Sequence, residues 1–188
     1  MGRSFANLHM KSNNPEKTVE ALRELIERHP KVLGEEEARE TKVVMYISES
    51  NENWISVLHE YFVWGTVKKI GLTLSRLIDD PIMTIGYMNE EILELSMFAH
   101  GDIQAERIFC EPWTREEYEE LREERLQDDY LGEVLGLRKE ELDELLGITS
   151  PEQAVNKLSE LAGISLWSDA EWIPYEDDLR ERFVKYEF

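Results

Sequence analysis

Within its first 88 residues the chain twice runs strand, helix, strand, and that order leaves few ways to fold. Ser4 to Ser12 alternates Ala6, Leu8 and Met10 with Asn7, His9 and Lys11, the period of two that gives a strand one buried face. Asn14-Pro15 supplies a cap and a proline at the first helical position, and Val19, Leu22, Leu25 and Ile26 recur at helical spacing until His29-Pro30 stops the run. After an acidic loop at Gly34 to Glu40, the run Lys42 to Ser48, the turn Asn51-Glu52-Asn53 and the run Trp54 to Tyr61 predict two further strands. A second helix is predicted over Thr66 to Ile78 and ends at Asp79-Asp80-Pro81, with a fourth strand at Ile82 to Met88.

This α+β order, β-α-β-β-α-β, resembles the ferredoxin-like split β-α-β architecture. The two halves share no convincing residue identity, and because that superfold hosts many unrelated activities the resemblance implies a fold and no function. Residues 92 to 110 alternate around His100-Gly101-Asp102, which predicts an added hairpin. At Glu111-Pro112-Trp113 the character changes, so the chain divides into a ferredoxin-like core over 1-110 and an acidic helical subdomain over 111-188. In the latter, Thr114 with Glu117 predicts a capping box opening a helix to about Tyr130. Further helices are predicted at Leu137 to Leu146, after Ser150-Pro151 and at Asp178 to Tyr186. Several core strands are apolar on both faces, as with Met83, Ile85 and Tyr87 against Ile82 and Met88. A sheet covered only by its own two helices would keep one polar face, so the C-terminal helices or a second copy are expected on the other.

Charge narrows the function classes. Of 41 acidic and 21 basic side chains, net −20, residues 111-188 hold 23 acidic and 9 basic, a net of −14. Nucleic acid and anionic membrane are therefore not expected as partners, since approach is repulsive without a basic patch. The 41% hydrophobic content is enough for a core, and no uncharged apolar run is long enough to span a bilayer. With a single cysteine, and with no signal-peptide pattern over Met1 to Lys11, the expected setting is cytoplasmic.

No catalytic constellation emerges. Cys110 stands beside Glu111, which raises rather than lowers a thiol pKa, and there is no nucleophile elbow, phosphate loop or dinucleotide fingerprint. His9, His29, His59 and His100 are dispersed; if Ile55 and Val57 face the helices, His59 joins them while His9 lies with Asn7 and Lys11 on the opposite face, where the two cannot share a metal. No metal and no cofactor are expected, and Asp79-Asp80 has the chemistry of a helix stop. The residues available for a ligand between sheet and C-terminal helices are Asn7, His9, Lys11, Trp54 and Glu60. The densest acidic run, Glu116 to Asp129, is explained by a solvated helix face with i,i+3 and i,i+4 pairs to Arg115, Arg122 and Arg125. In the sharper reading Glu116, Glu119, Glu120, Glu123 and Glu124 dock a partner. Trp113, Tyr118, Tyr130, Trp167, Trp172 and Tyr175 serve as packing between the two parts or as interface anchors.

The expectation is a non-catalytic interaction or regulatory protein that binds a basic protein surface or itself, an inhibitor or immunity-type protein being one version. The alternative is a small-molecule binding protein or enzyme with its site between the sheet and the C-terminal helices.

Overall fold

The computed structural model describes residues 3–34, 42–118, 121, 123 and 127–188. The protein is a mixed α+β molecule with seven α-helices and one seven-stranded antiparallel sheet among these residues. The strands are β1 Phe5–Met10, β2 Val44–Glu49, β3 Ile55–Leu58, β4 Ile82–Met88, β5 Ile92–Ala99, β6 Asp102–Phe109 and β7 Val184–Glu187. The helices are α1 Pro15–Arg28, α2 Thr66–Leu74, α3 Pro112–Glu117, α4 Asp128–Leu135, α5 Lys139–Leu146, α6 Pro151–Ala162 and α7 Asp177–Arg182. Across the sheet the order is β6-β5-β4-β1-β3-β2-β7.

Local chemistry explains most boundaries. Asn14 Oδ1 accepts the Lys17 N–H at 3.2 Å and Pro15 presets the first turn of α1. In the β2–β3 turn Asn51 Oδ1 accepts the N–H groups of Asn53 and Trp54 at 2.8 and 2.9 Å, replacing the sheet bonds lost there. The hairpin between β5 and β6 turns on His100 and Gly101, both at positive φ. Helix α2 stops at Leu74, four residues before the expected Ile78, because Ser75 Oγ donates to Leu72 O at 2.6 Å and accepts the Gly101 N–H at 3.1 Å, so the hydroxyl diverts the chain into the hairpin turn.

The central strands β1, β4 and β5 offer side chains alternately to two cores. Ala6, Leu8, Met10, Ile55, Val57 and Ile82 pack under Leu22 and Leu25 of α1 and Val67, Ile70 and Leu74 of α2. The alternate positions, Phe5, Met83, Ile85, Tyr87, Leu93, Leu95 and Met97, pack against Leu131 and Val134 of α4, Leu142 and Leu145 of α5 and Val155 and Leu158 of α6. The C-terminal helices therefore lie on the face opposite α1 and α2, where the doubly apolar strands need them. At Gly71 α2 presses on the sheet: a Cβ there would stand 2.6 Å from Thr84 Cγ2 and 3.0 Å from the Phe98 ring.

Three expectations need correction. The helix expected to open at Thr114 begins at Pro112, where proline fixes the first φ, and Thr114 is buried inside α3. It ends at Glu117, α4 begins anew at Asp128, and the Glu119, Glu120 and Glu124 positions of the acidic run lie outside the described residues. The C-terminal segment expected as one helix over Asp178 to Tyr186 divides into α7 and β7, and β7 extends the sheet beside β2 in the register Val44↔Glu187.

Candidate functional site

Asn7 and His9 occupy adjacent positions on the β1 face that meets the C-terminal part of the chain, and both are fully buried. Asn7 Nδ2 donates to Leu166 O at 2.8 Å and to Ser168 O at 3.1 Å. Two carbonyl acceptors fix the amide, so Asn7 Oδ1 is the acceptor for His9 Nε2 at 2.6 Å, and Nε2 carries the imidazole proton. His9 Nδ1 must then accept from Ser56 Oγ at 2.7 Å, which leaves Ser56 Oγ to accept from Ser50 Oγ at 2.5 Å. Every member of the row is satisfied by one orientation, and burial holds the imidazole pKa down at about 3, so it is neutral.

The row Ser56, His9, Asn7 has the order of a nucleophile, a base and its orienting group. Its surroundings decide otherwise. Ser56 is 1% exposed and His9 and Asn7 are 0%, so no reacting group can reach the hydroxyl. What the row does is tie the centre of the sheet to the segment after α6. Asn51 adds a second tie, donating through Nδ2 to Ala162 O and Gly163 O at 3.0 Å each.

The other expected ligand residues scatter. Trp54 is buried in the apolar core under the C-terminal helices. Lys11 and Glu60 lie at opposite ends of the strands, as the register Leu8↔Val57 requires, and Glu60 is exposed in the turn after β3. Lys11 Nζ donates to Val134 O at 2.6 Å and stands between two clefts. One, of about 410 Å³, is lined by Ser12, Asn14, Lys17, Glu52 and Asp80; the other, of about 320 Å³, by Asp79, His100, Gln104, Tyr130 and Glu133. His59 lies beyond β3 on the α1 and α2 side, its Nδ1 donating to Val44 O at 2.8 Å, so it and His9 are on opposite faces.

Of the expected partner-docking carboxylates, Glu116 is exposed on α3. Glu123 is turned inward: its Oε1 accepts the Ile108 N–H at 2.9 Å, while Arg115 Nη2 donates to Ile108 O at 2.9 Å. Together they satisfy both edge groups of one β6 residue as a neighbouring strand would. Cys110, beside this corner, is buried; burial pushes its thiol up, and Arg115 only partly offsets that, which leaves an inert group.

One cluster goes unnoticed in the sequence. Lys68 of α2 reaches Glu106 of β6 at 2.5 Å and Glu94 of β5 at 3.8 Å, with the Glu106 side chain fully buried. Ser96, paired across the strands with Glu106, is also fully buried. Half of the signal was available: Glu94 shares its strand face with Ile92 and Phe98, whereas Glu106 shares its face with Asp102 and Gln104 and reads as solvent-facing. No group of three or more His, Cys, Asp or Glu side chains able to hold a metal occurs among the described residues.

The exposed surface of the C-terminal helices is predominantly acidic. Glu133, Glu140, Asp143, Glu144, Glu152, Glu160, Glu171 and Glu176 to Asp178 all face solvent, against the partly buried Lys157 and Arg182 and the exposed Arg115, Arg138, Lys139 and Arg180. No helix of the described residues is long and apolar enough to cross a membrane. Comparison of the chain with protein-family models, with curated proteins and with solved structures finds no match.

Proposed function

We propose that this chain is a non-catalytic docking protein whose acidic C-terminal layer binds a basic protein surface, with inhibition of a basic enzyme as one form of that activity. The observation that carries the reading is the separation of charge: net −14 over residues 111–188 against −6 over 1–110. Carboxylates concentrated on one layer accelerate encounter with a cationic surface and select against acidic partners. The closed Ser56, His9, Asn7 row supports the non-catalytic part, since it joins the layer to the sheet instead of opening to a substrate.

On this reading residues 5–88 are a ferredoxin-like unit, supported by the strand order β4-β1-β3-β2 with α1 and α2 on one face. The division into a core over 1–110 and a docking subdomain over 111–188 follows the charge, with β7 as the return of the second part to the sheet. A cytoplasmic location accords with the one free cysteine. A small-molecule site remains the second reading, favoured by the two clefts that meet at Lys11.

The test is retention of proteins on the immobilised chain at rising ionic strength. Docking through carboxylates gives a discrete basic partner released between low and moderate salt. Recovery of the chain alone, with no salt-dependent association, rejects the reading.

A further inference from the structure

Where the N-terminal residues cross the C-terminal segment, four aromatic rings converge. Phe5 stacks on Tyr87 with centroids 4.9 Å apart, and Trp167 lies 5.2 Å from Phe5 and 5.3 Å from Tyr87. Trp172 meets Phe5 edge-on at 5.5 Å. Into the angle between the two indoles projects a single cation: the Arg3 guanidinium stands 5.1 Å from the Trp172 centroid and 5.7 Å from that of Trp167.

Other contacts fix the positions of the two indoles. Trp167 Nε1 donates to Asn156 Oδ1 at 2.7 Å, which fixes that ring from α6. Asp169 Oδ1 accepts the Glu171 N–H at 2.9 Å and caps the turn that carries Trp172. Phe5 and Tyr87 are buried and form the floor, while the two indoles are half-buried. The rim is acidic. Glu90 lies in the β4–β5 turn, its N–H donating to Arg3 O at 3.2 Å, and Glu90 and Glu152 act with burial to push the Tyr87 hydroxyl up to about 12.

Two indoles that each lie within cation–π distance of one guanidinium have the recognition chemistry of an organic cation. A guanidinium fits because it stacks flat on an aromatic face and is weakly hydrated. Arg3 itself is solvent-exposed and carries no ion pair among the described residues; the rings are what locate it.

We propose that Trp167 and Trp172, over Phe5 and Tyr87, form a binding site for an arginine side chain of a protein partner, and that Arg3 fills it in cis when no partner is present. The identity of the partner rests on the docking reading above; the site itself does not, and the probe below contains no partner. By displacing Arg3, an incoming arginine brings its own chain beside the segment after α6 that carries Trp167 and Trp172. Arg3 thus sets a threshold that weak cations do not pass.

The experiment compares wild type with Arg3→Ala, titrating each with N-acetylarginine amide and with the uncharged isostere N-acetylcitrulline amide, and following the indole N–H resonances of Trp167 and Trp172. The expected result is that Arg3→Ala binds the arginine probe about tenfold more tightly than wild type, with shifts at both indoles, because two cation–π contacts no longer compete. Citrulline produces no saturable shift. In the Arg3→Ala background Trp172→Leu, which keeps an apolar side chain against Phe5, loses the arginine response while circular dichroism remains that of the parent. Equal response of wild type and Arg3→Ala, equal binding of citrulline, or retention of binding in the Trp172→Leu variant overturns the proposal. A positive titration alongside failed salt-dependent docking retains the site and rejects only the docking reading.

Discussion

Burial makes the folded His9 imidazole hard to protonate. Its folded pKa of about 3 lies below the ordinary 6.5, so between those values the unfolded chain holds a proton that the folded chain refuses. The stability that His9 contributes is therefore complete above pH 6.5 and is lost progressively as the pH falls toward 3. At 1.36 kcal/mol per unit, moving from neutrality to pH 5 removes about 2 kcal/mol. For a domain of this size that is a fall of very roughly 4–8 °C in Tm. Relief of the net −20 charge on acidification acts in the opposite direction, as does Asp169, whose carboxyl burial pushes up. The comparison must therefore be with His9→Gln, which shares those groups. None of the side chains bonded to His9, namely Asn7 and Ser56, titrates in this range, so no neighbour masks the effect. At pH 7 the variant is expected to be less stable by about 1–3 kcal/mol through its broken row of hydrogen bonds. By pH 5 the gap narrows by about 2 kcal/mol, measured by urea unfolding at each pH. A gap that stays constant or widens on acidification refutes the assignment of a buried neutral imidazole, as does an imidazole nitrogen spectrum showing the charged form in the folded protein at pH 5.

Three further perturbations test the packing. Lys68→Met leaves the fully buried Glu106 side chain without its 2.5 Å ammonium and is expected to cost about 3 kcal/mol in urea unfolding, much of it recovered by adding Glu106→Gln. Gly71→Ala, whose methyl would meet Thr84 and Phe98, is expected to cost about 1–3 kcal/mol, whereas a methyl at Gly65 meets no neighbour but strains a positive φ. Glu123→Ala removes the acceptor for the Ile108 N–H and opens the β6 edge, so light scattering is expected to show concentration-dependent association that wild type lacks under the same conditions.

Much of the first 110 residues was legible because their signals are local. Asn14-Pro15, Asp80-Pro81 and His100-Gly101-Asp102 each specify a boundary with two or three residues, and strand parity alone put His9 and His59 on opposite faces. Parity also put Asn7 beside His9. It could not show that Leu166 and Ser168 would close over them, because that contact spans about 160 residues of sequence and depends on how the C-terminal helices settle. The strand β7 was missed for a different reason: VKYE is four residues long, mostly exposed, and follows a charged helical turn, so its pairing with β2 decides its conformation more than its own pattern does. Glu94 and Glu106 were overlooked because a carboxylate in a strand is ordinarily assigned to the solvent face, and here Lys68 reaches across from α2 to make burial tolerable. Glu123 belongs to the same lesson. An acidic run suggests a surface, yet one of its members serves as a substitute strand for Ile108.

On the docking proposal the position of the charge, and not its total, makes the surface. Two variants test it directly. One neutralises Glu140, Asp143, Glu144 and Glu160 on α5 and α6 as Gln or Asn; the other neutralises Glu16, Glu27, Glu52 and Glu60 in the first part of the chain as Gln. Both carry a net charge of −16 in place of −20. Affinity for the salt-released basic partner, measured by titration calorimetry at fixed ionic strength, is predicted to fall about tenfold or more in the first variant and to stay within about twofold of wild type in the second. Equal losses in both, or a larger loss in the second, would contradict the account.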